Sequence, residues 1–254
     1  MSDVVRTDRV GGVLVITIDR PEARNAINRA VSVGVAEAVD RLDDDASLSV
    51  GVLTGAGGTF CAGMDLKAFL AGENARPDGR GLAGICRRRP QKPLIAAVEG
   101  WALAGGCEVA LACDLIVAAE DARFGIPEVK RGLIAGDGGL VRLPRKLPPG
   151  IAMELALTGD PLSAVDAHAH GMVNRLTPSG GALQEALELA ARVAANAPMA
   201  VSASRQIVAD ALDSPVSDGM RAVDGLMESI MASYDAREGA LAFAEKRAPV
   251  WRNR

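Results

Sequence analysis

No stretch of the 254 residues offers the roughly 20 apolar positions that a bilayer-crossing helix needs, because Glu108, Asp114 and Glu120 interrupt the longest candidate. The chain is therefore not expected to span a membrane. A long basic run is also missing, and 28 Lys and Arg against 32 Asp and Glu leave a net charge of -4. That balance gives no footprint for nucleic acid or an anionic membrane surface. The one basic cluster, Arg87-Arg88-Arg89, is short. It reads as a solvated loop end before Pro90, with a phosphate grip as the alternative, since guanidinium binds phosphate bidentately. From Met1 to Arg9 the chain carries charges where a secretory leader needs an apolar stretch, and Cys61, Cys86, Cys107 and Cys113 form no CxxC pair. These absences predict a cytoplasmic protein with reduced thiols. Histidine is scarce too: His168 and His170 stand two apart, project from different sides of a helix, and so make no metal site. Neither offers Cys107 a partner for nucleophilic chemistry, which leaves that cysteine as a packed thiol.

What remains is a globular composition, 49% hydrophobic and 24% charged, sufficient for a sizeable core. Val13 to Ile18, Val50 to Thr54, Leu94 to Val98 and Leu115 to Ala118 read as apolar strands, and Asn28 to Leu42 carries helical spacing. Strands alternating with helices imply an α/β architecture. After about Gly150 the pattern turns helical, with segments at Gly181 to Asn196, Met199 to Leu212, Val216 to Ser233 and Arg237 to Lys246, punctuated by Pro198 and Pro215. The stretch from Lys67 to Arg89, rich in glycine and charge, reads as a mobile loop.

Glu108 is the most informative residue, being the one charged side chain between Trp101 and Ala112. A helical glutamate ordinarily lies on a wet face, but this helix has no polar face to share. Apolar surroundings disfavour the charged form of a carboxyl group, which raises its proton affinity and suits it to proton exchange near neutral pH. Just before it, Gly105-Gly106 marks a strand-to-helix turn where unpaired N–H groups can meet a ligand. A second glycine-rich turn, Gly55 to Gly58, leads into Phe60 through Leu66. Two such amides together can form an oxyanion hole. Taken singly, each turn is as well explained by tight packing, and neither matches a GxGxxG or GKS phosphate loop.

In order along the chain, Thr59 to Lys67 (TFCAGMDLK), Leu103 to Glu108 (LAGGCE), Phe124 to Glu128 (FGIPE), Gly138-Gly139, Leu157-Thr158-Gly159 and Phe243 to Arg247 (FAEKR) resemble the signature blocks of the crotonase, or enoyl-CoA hydratase/isomerase, family. The likeness covers almost the whole chain. It implies a spiral of ββα units over residues 1–195 and a helical region over 196–254 that builds homotrimers or paired trimers and reaches CoA. It also implies an acyl-CoA thioester as substrate, with no separate cofactor. In hydratases of this family two glutamates hold one water; by position these are Glu108 and Glu128, and the presence of both favours hydration over isomerisation. The amides of Met64 and Gly105 match the family's oxyanion hole. Arg24, Ala26, Ala62, Asp65, Leu66 and Gly106 match its CoA and substrate contacts, and Phe243 and Lys246 its C-terminal pair, here expected on one helix face. Asp137 departs from many hydratases, which have a small residue there. It reads as the N-cap of a helix over Gly138 to Leu147, with a place beside the acyl pocket as the alternative. Carnitinyl-CoA dehydratases carry Asp in this stretch, and they resemble the chain in its Leu143 to Pro149 run as well.

Overall fold

The computed structural model describes residues 4–254; Met1 to Asp3, the start of the charged N-terminal stretch, lie outside the described residues. The strands in chain order are β1 (Val5–Val10), β2 (Val13–Ile18), β3 (Val50–Gly55), β4 (Leu94–Val98), β5 (Trp101–Leu103), β6 (Leu115–Ala119), β7 (Arg123–Gly125), β8 (Leu162–Ser163) and β9 (Arg175–Thr177). The helices are α1 (Arg29–Asp44), α2 (Leu66–Leu70), α3 (Gly105–Ala112), α4 (Gly139–Lys146), α5 (Pro149–Thr158), α6 (Ala164–Ala169), α7 (Ala182–Ala194), α8 (Pro198–Ala211), α9 (Val216–Ala232) and α10 (Tyr234–Glu245). Six strands pair in the order β1-β2-β3-β4-β6-β9, with β1 antiparallel to β2 and every later pair parallel. The other three form a small sheet, β5-β7-β8.

Alternation along each strand divides the core in two, because successive side chains leave a strand on opposite faces. Leu14, Ile16 and Ile18, with Leu53, Leu94, Ala96, Val98, Ile116 and Ala118, lie on one side of the sheet and join one cluster with Val31, Val35, Val39 and Leu42 of α1. Val13, Val50, Val52, Ile95, Ala97 and Val117 face the other way, onto Ala182, Ala186 and Ala190 of α7. Small side chains one helical turn apart let α7 lie close to the sheet. With both faces covered, these strands read as unbroken apolar runs. The Asn28 side chain starts α1 by accepting from Val31 N at 3.0 Å.

The chain advances as a spiral, each turn giving one strand to the large sheet and then a short one to the small sheet. β4 is followed by β5, and β6 by β7; β5 pairs in parallel with β7, and Cys61, just after β3, bridges in parallel to Ala102. Three successive turns thus bring Cys61, Leu103 and Gly125 side by side, joined by Leu103 N to Cys61 O (3.0 Å) and Ala104 N to Gly125 O (2.8 Å).

Three expectations need correction. Asp137 does not cap α4: Gly138 holds that position in a left-handed conformation (φ 109°), and the Asp137 carboxylate turns away to meet Arg76. Lys246 does not share a helix face with Phe243, since α10 ends at Glu245 and Lys246 closes it at φ 55°. Residues 67–89 are not one loose loop, because Leu82 to Cys86 enter the core and the segment is tied down by Arg80 to Asp40 (2.7 Å), Ser32 Oγ to Ala75 O (2.6 Å) and Ala83 N to Ser32 Oγ (2.9 Å). Apolar side chains outweigh the glycine and charge around them. At its end Arg87 donates to Gly136 O and Arg89 lies 3.8 Å from Asp210, so these two arginines of the basic cluster have protein partners.

Candidate active site

The three aligned turns deliver the four candidate groups, each within a few residues of Cys61, Leu103 or Gly125. Met64 follows Cys61 by three residues, Gly105 follows Leu103 by two, and Glu128 follows Gly125 by three. Glu108 lies in the first turn of α3, which starts at Gly105. The fold therefore places both glutamates and both amides at the same end of the small sheet, although 64 residues separate the outermost pair (128 minus 64).

Glu108 is only 2% exposed. Its Oε1 accepts from Asp137 N and Gly139 N, both at 2.8 Å. A Cβ at Gly139 would stand 3.1 Å from Glu108 Cγ, so the bare backbone there permits the approach. Burial, above all, pushes the carboxyl up to about 7; the Asp137 and Glu128 charges push the same way, and the two amides pull against them. Glu128 sits in the 3-10 turn Pro127–Arg131. Burial raises its proton affinity too, its own backbone N–H and Arg131 opposing. Its Oε2 is enclosed and has no protein partner among the described residues. One carboxyl is thus tied by two amides and the other keeps an oxygen free.

The amides of Met64 and Gly105 both follow residues with positive φ: Gly63 at 105° and Ala104 at 50°. Ala104 holds a conformation that a side chain disfavours, and such strain survives only where surrounding structure imposes it. The first bond of the α3 ladder is Glu108 N to Ala104 O, which leaves Gly105 N ahead of it. Among the described residues neither Met64 N nor Gly105 N has a protein acceptor. The two are neighbours, for a Cβ added at Gly105 would lie 3.5 Å from Met64 N and one at Gly63 would lie 3.2 Å from Gly105 N. Gly106 is equally constrained, its added Cβ falling 2.2 Å from Cys61 O.

Arg24, Ala26, Ala62, Asp65 and Leu66 also come together. Ala62 N donates to Arg24 O (3.0 Å), Ile27 N to Gly63 O (2.8 Å) and Asp65 N to Ile27 O (2.9 Å), stitching the two segments into one surface. The Asp65 carboxylate is already occupied, capping α2 through Lys67 N and Ala68 N and pairing with Arg20 at 3.1 Å. Phe243 is 87% exposed on α10, so the alternative of a core phenylalanine is excluded. Cys107 is fully buried and its thiol is pushed far up by that burial, with Glu108 and Glu128 adding to it, which makes it no nucleophile. His168 spends a ring nitrogen on Val173 O at 2.9 Å.

The sequence model of the enoyl-CoA hydratase/isomerase family matches residues 8–254. The chain belongs to that family. It is 57% identical to an enoyl-CoA hydratase of Mycobacterium marinum of known structure, with 99% of each chain covered and a TM-score of 0.97. A carnitinyl-CoA hydratase structure from Mycobacterium avium is 46% identical over 100% of both chains, with a TM-score of 0.80. Among curated relatives, a carnitinyl-CoA dehydratase of Salmonella typhi is 43% identical over 100% of both chains. The α/β spiral is therefore the crotonase fold, and family membership makes the chain a hydro-lyase-type enzyme acting on CoA thioesters.

Two supports of this family member's site escaped sequence reasoning. Asn25, buried at φ 56°, accepts from Arg20 N (2.9 Å) and donates to Ala56 O (2.8 Å) and Thr59 O (2.6 Å), holding the glycine-rich turn in place. The other is Arg76, which meets Asp137 across 61 residues of sequence at 2.7 Å. An isolated asparagine and an arginine in a charged stretch carried no signal of either role.

Proposed function

We propose that the protein is an enoyl-CoA hydratase, adding water reversibly across a trans-2-enoyl-CoA to give the 3-hydroxyacyl-CoA. The observation that carries this reading is a buried, amide-anchored Glu108 within electrostatic reach of a Glu128 whose enclosed Oε2 is unpartnered, with two unpaired amides at the same end of the small sheet. In the reaction the N–H groups of Met64 and Gly105 receive the thioester oxygen as it gains enolate charge. Glu108 orients water and takes its proton as the hydroxyl adds to the β-carbon, while Glu128 delivers a proton to the α-carbon. Two carboxyls that share one proton suffice, and the pair regains its starting state by exchange. Each oxyanion donor contributes on the order of 100-fold in rate. Arg24, Ala26, Ala62, Asp65, Leu66 and Gly106 take the CoA and thioester, largely through backbone. Phe243 and Lys246 add a contact within a homotrimer or hexamer in the cytoplasm, and no further cofactor takes part.

Carnitinyl-CoA dehydration is the second reading, favoured by the name of the 43%-identical relative. A free buried carboxylate at Asp137 would suit its trimethylammonium group. Here that carboxylate is fully enclosed and taken by Arg76 at 2.7 Å and Leu82 N at 3.1 Å, with Arg87 at 3.8 Å. Two guanidinium groups to one carboxylate leave no anionic seat, so a neutral acyl chain is the better fit. Hydration assays on crotonyl-CoA and crotonobetainyl-CoA, with wild type and Glu128→Gln, test both points. Wild type is expected to prefer crotonyl-CoA, and Glu128→Gln to lose on the order of 10³-fold in kcat while binding the thioester within a few fold. Full activity of Glu128→Gln would refute the assignment, and a preference for crotonobetainyl-CoA would establish the second reading.

A further inference from the structure

Asp137 contributes to the site twice over. Its N–H grips Glu108 Oε1 at 2.8 Å, and its carboxylate, wholly out of solvent, accepts from Arg76 Nε at 2.8 Å and Leu82 N at 3.1 Å. The Asp137 carbonyl accepts from Arg142 Nη1 at 3.0 Å, and Arg142 Nη2 reaches Cys86 O at 2.6 Å. The loop that holds Glu108 is thus clamped from two sides, by Arg142 through its backbone and by Arg76 through its one acidic side chain. Arg76 itself is only partly covered, its side chain 42% exposed. A buried carboxylate without a counter-charge is strongly disfavoured, and removing one partner of such a pair leaves the other charge uncompensated.

We propose that Arg76 is a positioning residue: by neutralising Asp137 it keeps the Asp137–Gly139 backbone on Glu108 and sets how firmly Glu108 holds its proton. The claim extends the hydratase reading, in which the pair works with one proton. Charged and titratable groups around Glu108 and Asp137 are Glu128, Cys107, Cys86, Arg142, Arg87 and Arg76. Of these, Arg76 makes the shortest contact to the Asp137 carboxylate, at 2.7 Å against 3.8 Å for Arg87. With Arg76 gone, the Asp137 charge is less balanced, and a neighbouring carboxylate binds its proton more tightly. With Asp137 neutral and Arg76 kept, the proton leaves more easily.

Arg76→Met, Asp137→Asn and the double variant separate this from a purely structural role. The Glu108 titration is read by carboxyl ¹³C NMR, assigned by its disappearance in Glu108→Gln, alongside the alkaline limb of kcat/KM for crotonyl-CoA. Arg76→Met is expected to move both upward by on the order of one pH unit and Asp137→Asn to move both downward, while the double variant returns close to wild type. The double variant also buries no lone charge, so it folds where Arg76→Met fails to, and it still reports on the claim. A titration that stays put in Asp137→Asn, or a double variant no nearer wild type than Asp137→Asn, would overturn the proposal. Movement of the NMR titration without movement of the kinetic limb would instead contradict the one-proton hydratase reading and leave the role of Arg76 standing.

Discussion

The spiral and the C-terminal helices are built by opposite means. In the spiral, both faces of the large sheet are covered by the chain's own helices, and backbone hydrogen bonds between adjacent turns set the segments that carry Met64 and Gly105 side by side. In α8 and α9 no residue is buried; Val208, Val216, Met220, Met227 and Met231 stand exposed, as does Leu212 just after α8. An exposed apolar face of that kind is what the proposed homotrimer would cover. In the proposed hydratase the difference assigns turnover to the spiral and leaves Phe243 and Lys246 a part in affinity alone.

The comparison is broken most severely at Gly63. Its φ of 105° and an added Cβ at 2.8 Å from Ala104 Cβ put a methyl group between the backbones that carry the two amides. Gly63→Ala is expected to lower kcat on the order of 100-fold with the Michaelis constant much less affected. Steady-state kinetics on crotonyl-CoA reads this, and an unchanged kcat would remove the amides from the mechanism. The tail gives the smaller effect. Phe243→Ala and Lys246→Ala are each expected to raise the Michaelis constant about threefold with kcat within twofold, because the proposed reading gives them contact with the CoA portion only. A fall in kcat equal to the rise in the Michaelis constant would show that the tail acts on the chemistry, and the contrast between the regions would fail.

How much of this was legible follows from the same contrast. Strands covered on both faces appear as continuous apolar runs, so Val13 to Ile18, Val50 to Thr54, Leu94 to Val98 and Leu115 to Ala118 stood out unaided. The short strands of the small sheet, two or three residues each, carry no periodicity, yet they bring the site together. Glu108 announced itself as a lone charge in an apolar helix. Glu128 did not, for its neighbours Lys130 and Arg131 make it look like one charge among several on a wet turn; only resemblance to a family singled it out. Asp137 misled because an aspartate before a helix normally caps it. The glycine after it, free to adopt φ 109°, took the cap and released the side chain toward an arginine 61 positions away. Long-range ion pairs of this sort leave no local pattern.

The central claim is that Glu108 and Glu128 share one proton over a common substrate. In such a pair the last proton to leave sets the alkaline limit; burial has pushed Glu108 up to about 7, and turnover starts from the fraction of the one-proton pair in which Glu128 carries the proton and Glu108 is ionised. Below that pH the pair retains a proton, which exchange within the pair places on Glu128 for delivery; as the pH rises through it Glu108 ionises and the shared proton is lost. The most direct measurement is the pH dependence of kcat/KM for hydration of crotonyl-CoA, which reports the free enzyme. A bell with its alkaline limb near 7, lost in Glu108→Gln, is the expected result. A rate that keeps rising through pH 9, or a limb unmoved when Glu108 becomes glutamine, would contradict the account.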